Sequence, residues 1–207
     1  MLLLAGFVLY CFCGAHRYRY QHSGIEITES NYRVVTDIRR RLVAGVASAL
    51  EEHGVRYVIS HGNLLELTRG RRIVHDDDVD IRIHKEDMGK WMRYCVDSGE
   101  ADAERGLSLK DPRRTSESKQ KENGIQITLL DDQHEELGVH ADVVASSVPN
   151  IDYDLAFSSP PRRVTYLGVP AWAPGEEATD ALLAREYGES YLIPDVDCAV
   201  GFDAEVV

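Results

Sequence analysis

Apolar residues recur every three or four positions through Val34, Val35, Ile38, Leu42, Val43, Val46 and Leu50, the spacing of one face of an α-helix. A helix over Ser30 to His53 is expected, capped by Ser30 and stopped at Gly54. The period then shortens. "RYVISHG" is a compact apolar run that predicts a buried strand over Arg56 to His61, ending at Gly62. "NLLELTR" has the look of a short helix and "RGRR" of a loop of exposed bases. "DDVDIRIH" alternates, which puts Asp78 and Asp80 on one face of a strand and Val79, Ile81 and Ile83 on the other. "KEDMGKWMRYCVDSG" returns to helical spacing, with Met88, Trp91, Met92 and Cys95 inward.

Between Gly99 and Gly124 the periodicity is lost, while Lys110, Arg113, Arg114, Lys119 and Lys121 accumulate. That stretch predicts a long mobile loop, either a solvated charged loop or a lid bringing positive charge to a phosphate. Two strands follow, Ile125 to Leu130 and Val139 to Ala145, joined by a polar turn as a β-hairpin. "RRVTYLGVPAWAP" predicts a shorter hairpin turning near Gly168. "GEEATDALLAREYG" predicts a last helix, with Ala181, Leu182 and Tyr187 on its apolar side. The residues after Pro194 carry no pattern and are expected to be loose.

The 207 residues suffice for one sizeable domain. A hydrophobic content of 43% and a charged content of 28% are those of a folded globular chain. The net charge of −12 argues against a nucleic-acid polymer as partner, because that binding rests on neutralising phosphates. A small anion remains a fitting ligand where a metal cation bridges it to the protein. Cys11, Cys13, Cys95 and Cys198 form neither a zinc spacing nor a disulfide framework.

The chain opens differently, with an apolar run over residues 1–15 that is shorter than the roughly 20 residues of a membrane-spanning helix. A signal peptide, a short anchor and a core strand are all consistent with it. Arg17 and Arg19 follow the run, whereas a signal peptide places its basic residues first. For an anchor, that placement leaves the domain on the cytosolic side, and Cys11 and Cys13 become acylation candidates beside the plainer reading of apolar packing.

The chemistry concentrates in "HDDDVDIRI" and "HADVV". Asp142 stands in mid-strand between apolar neighbours, where an unpaired buried carboxylate would cost several kcal/mol. If its strand lies beside that of Asp78 and Asp80, three carboxylates converge, and hard oxygen donors of this kind suit Mg²⁺ or Mn²⁺. Such a set holds one or two metals against a diphosphate or triphosphate, which points to nucleotidyl or phosphoryl transfer. The Gly62 turn before a short helix offers free N–H groups to a phosphate, and Asn63 a side-chain donor. Asp76, Asp78 and Asp80 also match the opening of a calcium loop, but Ile81 and Asp87 stand where that loop needs Gly and Glu. A bare acidic surface run is countered by the strand alternation and by Asp142.

These pieces resemble the LicD and fukutin family of nucleotidyltransferase-fold phosphotransferases. "GNLLELTRGRRIVHDDDVDI" is similar to that family's Gly-Thr/Ser-Leu-Leu helix, Arg and Ile-Pro-Trp-Asp-Asp-Asp-x-Asp-Ile strand. "HADVV" is similar to its later Asp strand, "YLGVPAWAP" to its Phe-x-Gly hairpin, and "LLAREYGESYLIP" to its closing Tyr-Gly helix. The match runs from about Asn31 to Pro194. It implies an α+β, nucleotidyltransferase-like fold over residues 30–195, a mixed central sheet flanked by helices, with an apolar segment and linker before it (1–29) and a loose tail after it (196–207). It further implies transfer of a phospho-alcohol unit, such as phosphocholine or ribitol phosphate, from a CDP-linked donor to a sugar hydroxyl of a glycan, with Mg²⁺ or Mn²⁺ as cofactor.

Carried over by position, Asp78 and Asp80 are the catalytic metal-binding pair. Asp142 is the third carboxylate, as ligand or as base, and Asp76 an auxiliary acid. Gly62, Asn63 and Arg69 would face the donor phosphates, His75 would lie beside the metal, and Tyr187 and Gly188 would line the acceptor side. Asp77 falls on the opposite strand face and reads as a cap or turn residue. Asn63, Val74, His75 and Tyr191 depart from the family pattern, and none of them removes a carboxylate. A plain nucleotidyltransferase acting on a small molecule or protein, and an inactive metal- or nucleotide-binding regulator, are the alternatives. The family's animal members are type II membrane proteins of the secretory lumen, which opposes the cytosolic side indicated by Arg17 and Arg19.

Overall fold

The computed structural model describes residues 29–73, 76–110, 123–130, 137–145 and 151–193. The first helix, α1 (Glu29–Glu52), starts one residue early, so Ser30 lies inside its first turn. Its stripe of Val35, Ile38, Leu42, Val43, Val46 and Leu50 is buried, and each such side chain contributes about 1.5–3 kcal/mol by leaving water. Then come β1 (Tyr57–Ile59), α2 (His61–Arg69), β2 (Asp78–Ile83), a 3₁₀ turn (Lys85–Asp87) and α3 (Met88–Asp97). They are followed by β3 (Ala101–Asp102), β4 (Leu107–Lys110), β5 (Asn123–Leu129), β6 (His140–Ala145) and α4 (Ile151–Ala156). β7 (Arg162–Tyr166), β8 (Val169–Ala173) and α5 (Glu176–Tyr187) close the described chain.

Six strands form a mixed sheet in the order β1-β2-β6-β5-β4-β3, and β7 and β8 form a separate hairpin. Every pairing in the large sheet is antiparallel except β2 with β6. The odd positions Val79, Ile81, Ile83, Ala141 and Val143 are buried, on the side where α1 packs. Gly45 permits the close approach: a Cβ there would stand 2.9 Å from Leu107 Cδ2 on β4. The even positions form the opposite, polar face, with Asp78, Asp80, His140 and Asp142 side by side. The α+β class with a mixed central sheet thus matches the expectation.

The β7–β8 turn falls at Leu167 and Gly168, both at positive φ (52° and 73°), the geometry whose twist suits a two-residue hairpin. Leu167 takes a conformation that branched side chains avoid because its side chain is buried in the core.

The structure corrects the reading in several places. The stretch after Gly99 is not wholly loop, since β3 and β4 make a hairpin whose Leu107 and Leu109 enter the core. In α3, Trp91 is buried and Met88, Met92 and Cys95 pack half-buried against the core as expected, but Tyr94 is buried as well. Tyr94 can turn inward because its hydroxyl donates to Asp102 at 2.8 Å and its ring packs on His53 and Trp91. In α5 the core residues are Ala178, Thr179, Leu182 and Leu183, with Ala181 exposed and Tyr187 half-buried. His61 belongs to α2 rather than to the strand before it.

The apolar N-terminal run with Cys11 and Cys13, His75, the basic segment 111–122 and the expected tail lie outside the described residues. Among the described residues no helix is long and apolar enough to cross a membrane.

The start of β1 is tied to the 3₁₀ turn by Asp87, whose carboxylate accepts from Arg56 Nε at 2.6 Å and Arg56 N–H at 3.1 Å and pairs with Lys90 Nζ at 2.8 Å. Burial alone would raise its pKa, but these donors hold it well below the usual carboxylate range. A depressed folded-state pKa stabilises the protein above the unfolded value of about 3.9, and that contribution is lost as pH falls towards the folded one. Asp87→Asn is therefore expected to lower stability at neutral pH and to flatten its decline below about pH 4. Urea midpoints across pH check this; parallel profiles for variant and wild type would contradict it.

Candidate functional site

The parallel seam between β2 and β6 sets Asp78 opposite His140 and Asp80 opposite Asp142. Side chains of alternate residues share a face, so two short strands deliver three acids and an imidazole to one patch. Asp78, His140 and Asp142 each place a donor atom within 4.8 Å of the other two. Asp80 flanks this group. Burial and the Asp78 and Asp142 carboxylates push the Asp80 carboxyl up to about 7, with His61 and Arg39 opposing. Carboxylates crowded this closely repel one another, and a divalent cation fits their donors.

His140 is itself anchored. Its Nδ1 lies 2.8 Å from the Gly138 carbonyl oxygen, and its Nε2 lies 3.7 Å from Asp142 Oδ2. Burial lowers its pKa, but Asp142 and the Gly138 carbonyl outweigh that and lift it to about 9. Asp142 departs from expectation, because 41% of its side chain is exposed. The polar face is open there, so the argument for a cation rests on crowded like charge rather than on deep burial of Asp142.

Asp76 does not join this patch. Its Oδ2 accepts from Arg39 Nη2 at 2.7 Å and from Asn63 Nδ2 at 3.0 Å, in a buried cluster. Arg39, fully buried, also bonds the Asp76 carbonyl at 2.9 Å, Glu66 at 3.0 Å and the Tyr166 hydroxyl at 2.8 Å. Tyr166 and Ile73 N–H donate to Glu66 in turn. Burial pushes the Asp76 carboxyl well up; Arg39 opposes this only in part, and the Glu66, Asp78 and Asp80 carboxylates add to it. Gly62 makes room for this arrangement: a Cβ there would stand 3.0 Å from Asp76 Oδ1.

Asn63 carries the link from that cluster to the strand. Its Nδ2 donates to Asp76 and to the Asp78 carbonyl at 3.3 Å, and its Oδ1 accepts from the Asp80 N–H at 2.5 Å. The amide expected to meet a phosphate is thus engaged in holding the backbone of both strand aspartates. Asp77 is buried. Arg69 donates from Nε to the Tyr191 carbonyl at 2.6 Å, tying α2 to the turn after α5. Gly188 ends α5, and Tyr187 packs half-buried against the core.

Sequence reasoning missed His140, His61 and Arg39. His140 stands two residues before Asp142, and strand parity alone gives it the same face. His61, at φ 48°, accepts at Nε2 from Arg82 at 3.0 Å, since a guanidinium only donates, and its Nδ1 faces Glu186 at 3.3 Å. Its signal was its place between a strand and a Gly. Arg39 lies four residues from both Val35 and Val43, a charge inside the apolar stripe of α1.

Residues 54–176, more than half of the chain, match the family model described as LicD/FKTN/FKRP, nucleotidyltransferase domain. No curated protein matches the chain. Among solved structures it is similar to the lincosamide antibiotic adenylyltransferase LnuA in a lincomycin-bound crystal structure. The two share 12% identity over 81% of this chain and 98% of that one, with a TM-score of 0.35.

Removing Arg39 would leave Asp76 buried without its cation, and Glu66 with Arg72 alone at 3.4 Å. Arg39→Ala is expected to lower the unfolding free energy by about 3–5 kcal/mol, measured by urea denaturation; a loss below about 1 kcal/mol would show that the cluster contributes little.

Proposed function

The chain belongs to the LicD/FKTN/FKRP nucleotidyltransferase-domain family, and from that premise we propose that it is a metal-dependent phosphotransferase acting on a CDP-linked donor. Transfer of a phosphorus-containing group is the activity that family membership supports. The finer reading is that a phospho-alcohol unit, of the phosphocholine or ribitol-phosphate kind, passes to a sugar hydroxyl of a glycan. The observation that supports metal-dependent transfer is the parallel register that sets Asp78 and Asp80 beside His140 and Asp142.

In this proposal Asp78 and Asp142 hold a divalent ion, Mg²⁺ or Mn²⁺, with Asp80 beside them. The bound ion would neutralise the diphosphate and polarise the phosphorus under attack. The N-terminus of α2 adjoins Asp80 through the Ser60 N–H bond to the Asp80 carbonyl at 3.0 Å. Its first amides lack intrahelical partners and suit a phosphate oxygen. Asp142 is the exposed acid, so an acceptor hydroxyl reaches it most directly. It takes the hydroxyl proton as the new O–P bond forms, and the bridging P–O bond breaks to release CMP. Asn63 acts by fixing the strand that carries Asp78 and Asp80, and Asp76 by fixing Asn63. Arg69, Tyr187 and Gly188 frame the side closed by α5.

Offered CDP-choline, CDP-ribitol and a glycan acceptor with Mg²⁺ or Mn²⁺, the protein is expected to release CMP. Asp78→Asn and Asp142→Asn should each lower that rate by about 100-fold or more while the fold is kept. Pyrophosphate release from CTP, with no CMP from any CDP donor, would instead establish a nucleotidyltransferase.

A further inference from the structure

We propose that His140 is a metal ligand through Nε2, and that it tunes this centre towards a cation that accepts nitrogen, Mn²⁺ ahead of Mg²⁺. The inference rests on the metal-binding half of the proposed function and is independent of the donor and acceptor.

Three observations carry it. First, the register places His140 opposite Asp78 and on the same strand face as Asp142, and the three donor atoms lie within 4.8 Å of one another. Second, the tautomer is set. The Gly138 carbonyl can only accept, so the contact at 2.8 Å keeps a proton on Nδ1 and makes Nε2, which faces the acids, the nitrogen that gives up its proton to an arriving cation. A backbone carbonyl on the far nitrogen is the usual support of a ligating histidine. Third, Nε2 and Asp142 Oδ2 stand 3.7 Å apart, beyond a hydrogen bond. Donors about 2.1 Å from one octahedral ion stand roughly 3–4 Å apart, so this spacing fits a shared cation.

The chemistry of the donor set then decides the preference. Mg²⁺ favours carboxylates and water and gains little from imidazole, whereas later divalent ions gain from a nitrogen donor. Mn²⁺ accepts both kinds, and two carboxylates with one imidazole suit it. His61 is the other described histidine near Asp80, and its two nitrogens face Arg82 and Glu186. The nitrogen available to an ion is that of His140.

Pulsed EPR of the full chain loaded with Mn²⁺ tests the assignment without any substrate. The expected result is ¹⁴N coupling to the ion that changes to the ¹⁵N pattern on isotopic labelling of histidine and vanishes in His140→Gln. Calorimetry should show Mn²⁺ binding weakened about tenfold or more in His140→Gln, with Mg²⁺ binding changed about twofold or less, and Asp142→Asn weakening both. Bound Mn²⁺ with no nitrogen coupling in the wild type would overturn the proposal and reduce His140 to an ion-pair partner of Asp142. Equal loss of both ions in His140→Gln would overturn the preference. Coupling without CMP release would sustain this inference and remove the proposed reaction, whereas CMP release without coupling would do the reverse.

Discussion

The buried guanidinium of Arg39 is the point on which the rest of the structure turns. From α1 it reaches Glu66 on α2, Asp76 at the approach to β2 and Tyr166 at the end of β7. An ionic cluster of this kind is a weak source of net stability, because desolvation offsets most of its attraction. Its value lies in direction. An apolar contact would let α1, α2 and the chain before β2 slide against one another, whereas these four directed bonds admit one arrangement. The acid that Arg39 holds then holds Asn63, and Asn63 holds the backbone of Asp78 and Asp80.

That chain of bonds explains the dense acidity around residue 78. The aspartates divide by what they face. Asp76 looks back to the buried Arg39, and Asp78 and Asp80 look out on the face they share with His140 and Asp142. One is a structural counter-ion and the others are presented groups, although only one to three residues lie between them. The patch is thus maintained against its own repulsion by a buried charge of opposite sign that reaches it through Asp76 and Asn63.

Much of this was legible in the sequence, and the parts that were not have physical reasons. Strong periodicity located α1, β2, the β5–β6 pair and the β7–β8 hairpin, and parity alone put Asp78 and Asp80 on one face. β4 escaped because Leu107 and Leu109 are its only apolar positions, too few to set a period beside the charges around them. α4 spans Ile151–Ala156, under two turns, and so has no face to recognise. The inward turn of Tyr94 depends on Asp102, a partner across the chain that no local pattern announces. Asn63 was read by its capacity to donate, but its partners became visible only when β2 folded against α2. His140 shares the face of Asp142 by parity, but no apolar period marks a strand imidazole as a ligand.

The parallel pairing of β2 with β6 has a consequence for folding fidelity. A slip of one residue would turn His140 and Asp142 towards α1 and bring Ala141 and Val143 out to water. The sheet would then enclose a carboxylate and an imidazole against aliphatic side chains, which costs several kcal/mol per group. The groups that serve the centre therefore also act as a ratchet on strand alignment: the polypeptide cannot settle into the neighbouring register without burying its own chemistry.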